Sequence, residues 1–381
     1  MQLIRKLKII ICLFLLLLVA TGCWDSRPIT EKTLVNGISI DIDQDKKTEV
    51  NALILDLIGR GAGVFDFQNE YVKSTKKNSV SHAGMEIQSF LPGDITTSKT
   101  RVILLGEDFS KTKFIHLLST FRRRTFSNLN VSVAITNKQP AKNVLKLKTI
   151  GSKPLSFVLT DTIDNAESTS IAQKMELFNI FTYTSEDGID FTIPVVDVSS
   201  DKRVEVVGSG LMHNTSYTGH FITTEQSPVL LMLMGKYGKT GHFITKLPKK
   251  YEAPYNTISY EIIRPRTNFS ITTSKDKIEV NLKIDAFVRI DGITSFKMLH
   301  EKEMWSIIKN DLNKRAQEVI KEIQVANSDV LGIGRYLKEH QPEEWRKLNW
   351  QKVYPTIEIK PKVTVSILST GALGTESQLE E

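Results

Sequence analysis

Cysteine is the scarcest informative residue in this chain of 381. There are two, Cys12 and Cys23, and none follows. A disulfide-stapled scaffold, a cysteine-based metal site and a cysteine-nucleophile enzyme are therefore excluded. Glycine and proline are at ordinary levels, so collagen-like and low-complexity readings fall away too. No apolar run reaches the length of a membrane-spanning helix. The seven histidines are scattered, without a partner four residues on. The formal charge is +7, but Arg5, Lys6 and Lys8 supply part of it, with no acid before Cys23. The rest is only weakly basic and gives no footing for nucleic-acid binding.

What is present begins with an export signal. After the three N-terminal cations, Ile9 to Ala20 is unbroken apolar sequence. That is too short to span a bilayer and right for a signal h-region. It ends in Ala20-Thr21-Gly22-Cys23, small residues before a thiol, as in a bacterial lipobox. Residues 1–22 are expected to be cleaved, leaving Cys23 as a lipidated N-terminus on the outer face of a membrane.

The mature chain reads as mixed α/β and α+β in a three-domain arrangement: 23–199 mixed α/β, 200–268 β-rich, 269–373 α+β, then a polar tail at 374–381. In the first part, Gly37–Asp43 and Val50–Ile58 predict paired strands and 66–77 a loop. Ser81–Leu91 predicts a helix with Met85, Ile87, Phe90 and Leu91 inward. Phe109–Phe121 predicts one continuous helix, and Arg101–Leu105 and Leu129–Ile135 predict strands. In the middle, 203–212 and 217–222 read as a hairpin.

The last hundred residues carry the cleanest periodicity. Ile278 to Ile290 alternates as a half-buried strand. Met304, Trp305, Ile308, Leu312, Ala316, Val319, Ile320 and Ile323 fall on one face of a long amphipathic helix. Val330–Leu337 predicts a short helix. Ile357 to Ile367 is a last strand, which Pro355 and Pro361 mark as an edge or bulged strand. The expected C-terminal domain is antiparallel-type strands on the long helix, with Trp305, Trp345 and Trp350 in the core.

Several patterns could carry chemistry. Asp41, Asp43 and Asp45 open like a calcium loop, but the glycine at position six is Lys46 and the acid at position twelve is Ala52. They are expected in a solvated turn. Gly59-Arg60-Gly61-Ala62-Gly63 opens no predicted helix and is no dinucleotide fingerprint. His213 and His220 flank the hairpin and are expected at the surface. Arg122-Arg123-Arg124 would cap a helix end or meet acidic groups. No nucleophile–base pair assembles, so no catalytic residue, metal ligand or cofactor site is assigned.

Cys23-Trp24-Asp25 followed by Gly37-Ile38-Ser39-Ile40-Asp41 resembles the start of the C-subunit lipoproteins of spore germinant receptors, the Ger(x)C or GerAC-like family. Gly106-Glu107-Asp108-Phe109, Gly208-Ser209-Gly210-Leu211 and Tyr217 to Glu225 are similar to its internal motifs. Asp329-Val330-Leu331-Gly332-Ile333-Gly334-Arg335-Tyr336, with Trp345 and Trp350, matches best; the family usually has Phe where Ile333 stands, and a Gly near Ser227-Pro228. The resemblance implies a non-catalytic lipoprotein, anchored through Cys23 on the outer face of the spore inner membrane. It implies assembly with two integral membrane subunits, A- and B-type, into a receptor that triggers germination in response to nutrients. The competing class is a lipid-anchored solute-binding protein of an uptake transporter, which would show two lobes of repeated βα units.

Overall fold

Val102–Leu105 and Ser132–Thr136 are buried at every position. Such strands need cover on both faces, and a parallel sheet between helices provides it. The computed structural model describes residues 4–7, 32–59, 65–91, 94–123, 128–147, 153–248, 256–274, 277–294 and 299–369. In it these strands, β5 and β6, lie at the centre of a nine-stranded sheet ordered β3-β2-β1-β5-β6-β7-β8-β9, with β4 (Asp94–Thr96) also on β1. The others are β1 (Lys32–Ile42), β2 (Thr48–Gly59), β3 (Phe65–Lys77), β7 (Thr192–Val198), β8 (Val204–His213) and β9 (Ser216–Thr223). β1, β5, β6 and β7 run parallel; the flanking strands are antiparallel.

Alternation sorts the core of this sheet. Ile103, Leu105, Val133 and Ile135 pack with Val80, Ile87, Phe114, Leu118, Leu177 and Ile180 on one side. Val102, Leu104 and Ala134 pack with Ala141, Leu145, Leu155, Leu159 and Ile163 on the other. Each strand thus feeds two helical layers, as period-two geometry requires.

The second sheet is β10 (Gly241–Lys246), β11 (Thr257–Ser274), β12 (Lys277–Thr294) and β13 (Glu358–Ser369), in that order. One face is covered by the helix Glu301–Val325, which buries Met304, Ile308, Leu312, Ala316, Val319, Ile320 and Ile323. These meet Ile278, Val280, Leu282, Ile284, Val288, Val363 and Val365 of the sheet. The same helix ties both outer strands: Arg315 Nη2 donates to Ile244 O on β10 at 2.7 Å. On β13, Val363 N donates to Asn313 Oδ1 at 3.0 Å, and Trp305 Nε1 donates to Val365 O at 2.7 Å. Just before β13, Gln324 Nε2 donates to Ile357 O at 2.9 Å. The helix Ser227–Leu233 is buried at all seven positions and joins the core that links β8 and β9 to the second sheet.

The structure differs from the sequence expectations in several places. Residues 66–77 form strand β3, not a loop, with paired register from Thr48↔Lys77 to Gly59↔Phe65. The ladder to β2 satisfies the inward half of its backbone and water the other half, so an outer strand can be polar. The helix expected over Phe109–Phe121 is two, Glu107–Ser110 and Phe114–Arg123. The Ser110 and Thr112 hydroxyls bond back to Glu107 O and Phe109 O between them, the local competition that ends helices. Of the four residues expected inward near the helix Val80–Ser89, Ile87 and Leu91 are buried, together with Val80 and Ala83, while Met85 and the C-cap Phe90 are exposed.

β13 pairs with β12 in parallel, not antiparallel. Trp305 is 37% exposed, outside the core, with its indole N–H on β13 and Lys309 over its ring at 4.5 Å. The expected boundary at 199/200 falls between β7 and β8, which pair from Thr192↔Leu211 to Val198↔Val204. That at 268/269 falls inside β11. The second sheet is not a lobe of repeated βα units, contrary to what a solute-binding architecture requires.

Candidate functional site

The turn after the long helix is where the two sheets meet. Asp329 lies there at 2% exposure. Its carboxylate accepts from Ile333 N at 3.0 Å, Gly334 N at 2.8 Å and Trp350 Nε1 at 3.1 Å. The two backbone donors are the first N–H groups of the helix Ile333–His340, so Asp329 closes that helix end. Asp190, which leads into β7, reaches it from the other unit. Its amide donates to Asp329 O and its carboxylate accepts from Asp329 N, both at 2.9 Å. Asn214 N, in the β8–β9 turn, donates to Asp190 Oδ1 at 2.7 Å. His213 Nδ1 stands 3.4 Å from Asp190 Oδ2.

More bonds cross the same seam. Arg335 N donates to Gly188 O at 2.6 Å, and Ser328 Oγ donates to Met212 O. Within the second unit Tyr354, fully enclosed, donates its hydroxyl to Ser328 O at 3.0 Å and so backs the seam. Two glycines permit this approach. A Cβ on Gly188, at φ 77°, would stand 2.5 Å from the Gly334 carbonyl carbon; one on Gly334 would stand 2.5 Å from Trp350 Nε1. The rim is charged: Arg335 pairs with Glu186 at 3.1 Å and Lys338 with Asp187 at 2.8 Å.

Electrostatics at the seam is set by burial. Desolvation pushes the Asp329 carboxyl up to about 7, against the pull of its three donors and with help from the charge on Asp190. The Asp190 carboxylate raises His213, against a smaller opposing effect of burial. His213 is thus half-buried and paired, where the sequence predicted a surface residue. Its burial has no sequence signature, because its partner lies 23 residues upstream, in the segment before β7.

Cys23 and the lipobox lie outside the described residues, as does most of Gly59–Gly63; of Arg122–Arg124, no side chain is described. Asp41 is buried rather than solvated. It accepts from Ala141 N at 2.7 Å and Lys142 N at 3.0 Å, and burial raises its pKa. Asp43 does sit in a turn, accepting from Asp45 N and Lys47 N. With Glu107, Asp41 borders a crevice of about 290 Å³ that also touches Lys138 and Gln139. Glu107 accepts from Lys138 N at 2.9 Å and Lys111 Nζ at 2.7 Å. Both acids thus already hold neighbouring loops in place.

These observations define a two-sheet α+β protein whose distinctive residues bind one unit to the other. Two family models match it: the spore germination protein N-terminal domain over residues 25–198, and the spore germination B3/GerAC-like C-terminal domain over 207–371. The chain belongs to the GerAC-like family of germinant receptor C subunits. Relatives in Bacillus subtilis (strain 168) align along almost their whole length. Spore germination protein KC is 21% identical, over 97% of both chains. Spore germination protein A3 is 24% identical, over 96% of this chain and 98% of its own. The crystal structure of the GerBC protein has the same fold, with a TM-score of 0.58 at 16% identity, over 87% of this chain and 97% of that one.

Proposed function

We propose that this chain is the lipid-anchored C subunit of a nutrient germinant receptor. In this reading residues 1–22 are cleaved and Cys23 carries a thioether-linked diacylglyceryl group and an acyl chain such as palmitate. The anchor holds the protein on the outer face of the spore inner membrane. There it is the non-catalytic partner of two integral membrane subunits, A- and B-type, and is needed to trigger germination. The observation that carries the reading is the pair of family matches running from residue 25 to 371, beginning two residues after Cys23. Among the described residues no helix is long and apolar enough to cross a membrane. Tethering raises the effective concentration of the chain for partners in the same plane. The three-part division of the chain also stands as a proposal, and limited proteolysis reads whether a third unit separates from the two sheets.

Deleting the gene tests the reading. The response to one class of nutrient should vanish, while triggers that bypass nutrient receptors still work. Cys23→Ala should release the chain from membranes or leave an uncleaved precursor. Mass spectrometry showing an unmodified Cys23 thiol on the mature protein would refute the anchor, and saturable binding of a germinant to the purified chain would favour the transporter class.

A further inference from the structure

The seam between the sheets buries two carboxylates beside a half-buried imidazole, and among the described residues no lysine or arginine is paired with them. The cations nearest in sequence, Arg335 and Lys338, are engaged outward with Glu186 and Asp187. The charged and titratable groups facing the cluster are therefore few. Glu186, Asp187 and Asp190 come from the segment before β7, and His213 from β8. Arg335 and Lys338 come from the helix Ile333–His340, and Tyr354 from the short turn before β13. Direct bonds cross the seam at three residue pairs adjoining this cluster, Gly188 to Arg335, Asp190 to Asp329 and Met212 to Ser328, while Ser168 and Ser170 hold residues 238–240 at a separate contact.

We propose that Asp190, Asp329 and His213 form a proton-controlled latch that locks the two sheets together in acid and loosens as the pH rises through neutrality. With a proton on Asp329 one buried negative charge is gone, and the protonated imidazole balances the other. When both protons leave, two anions lie close together in a largely buried site, and among the described residues no cation is placed to replace the protons. Opening the seam lets water solvate them, so deprotonation favours the open arrangement. Asp329, raised by burial, and His213, raised by Asp190, both shift in the direction this requires.

Hydrogen exchange on the full chain in detergent, read peptide by peptide by mass spectrometry from pH 5 to 8.5, tests the latch. After correction for intrinsic chemistry, one proton held more tightly in the closed state makes the opening equilibrium rise about tenfold per pH unit between roughly pH 5 and 7. That rise should appear in peptides covering 186–191, 212–214 and 328–336, and be absent from those covering β5 and β6. Asp329→Asn should flatten it. His213→Gln, at a half-buried site that tolerates change, should reduce the slope above about pH 6.5 and leave the part due to Asp329. A flat wild-type profile, the same slope throughout the protein, or a slope above pH 6.5 unmoved by His213→Gln would overturn the proposal.

Discussion

Asp329 is an acid whose folded environment prefers it neutral, and the sign of that preference sets a pH dependence. Its carboxyl rises from 3.8 unfolded to about 7 folded, so the folded state binds the proton more tightly. Its contribution is fully present below about pH 4 and lost as pH rises through 7. A shift of this size is worth roughly 4 kcal/mol. Glu107 has the opposite sign: lowered by its bonds to Lys111 and Lys138 against the cost of burial, it stabilises above the ordinary glutamate range and not below it. Thermal unfolding should therefore show a melting temperature that climbs from pH 8 toward about 5 and falls again in stronger acid. A monotonic loss of stability on acidification would contradict this. Gly334→Ala tests the same seam sterically. Its methyl would press on the Trp350 ring and the Gly188 backbone, neither of which yields easily, at a cost of about 1–3 kcal/mol in urea unfolding.

Among the elements, the long helix Glu301–Val325 separates packing from positioning. Ile308 is enclosed between helix and sheet, and Ile308→Ala should cost about 2–5 kcal/mol. Trp305 stands at the rim, where its indole N–H bonds Val365 O. Trp305→Phe removes that bond and little buried area, for about 1 kcal/mol. Equal losses in the two variants would mean that the helix face is misassigned. This helix was legible in sequence because its buried residues recur at three- and four-residue spacing. Trp305 was misplaced because spacing gives a direction around the helix axis and not how far the sheet extends beneath it. β3 was illegible for another reason: an outer strand is held by its backbone ladder, which leaves no trace in side-chain periodicity. The parallel pairing of β13 was hidden too, since alternation fixes the faces of a strand and not its direction. The glycines of Gly332-Ile333-Gly334 were visible as a motif, but the need for Gly334 became physical only with Gly188 and Trp350 seen against it.

At the scale of the whole molecule, the chain is two sheets joined by the buried helix Ser227–Leu233 and the carboxylate seam. Both joints lie between residues far apart in sequence, so unfolding one sheet should expose the other. Urea unfolding followed by tryptophan fluorescence, to which three of the four tryptophans, Trp305, Trp345 and Trp350, contribute from the second unit, and by far-ultraviolet circular dichroism should coincide near pH 5. Above neutrality the two curves should separate.

The bonds from the long helix to β13 have a consequence for crowding. An outermost strand with bare amides and carbonyls is a template on which another extended peptide can build, and repeated addition makes fibrils. Here Asn313 and Trp305 occupy Val363 N and Val365 O, Gln324 takes Ile357 O just before the strand, and Pro361 has no amide to offer. The middle of this edge, at residues 361–365, thus offers copies packed side by side fewer free backbone groups to pair with. Contacts made there through side chains come apart again, and close packing need not seed irreversible aggregation.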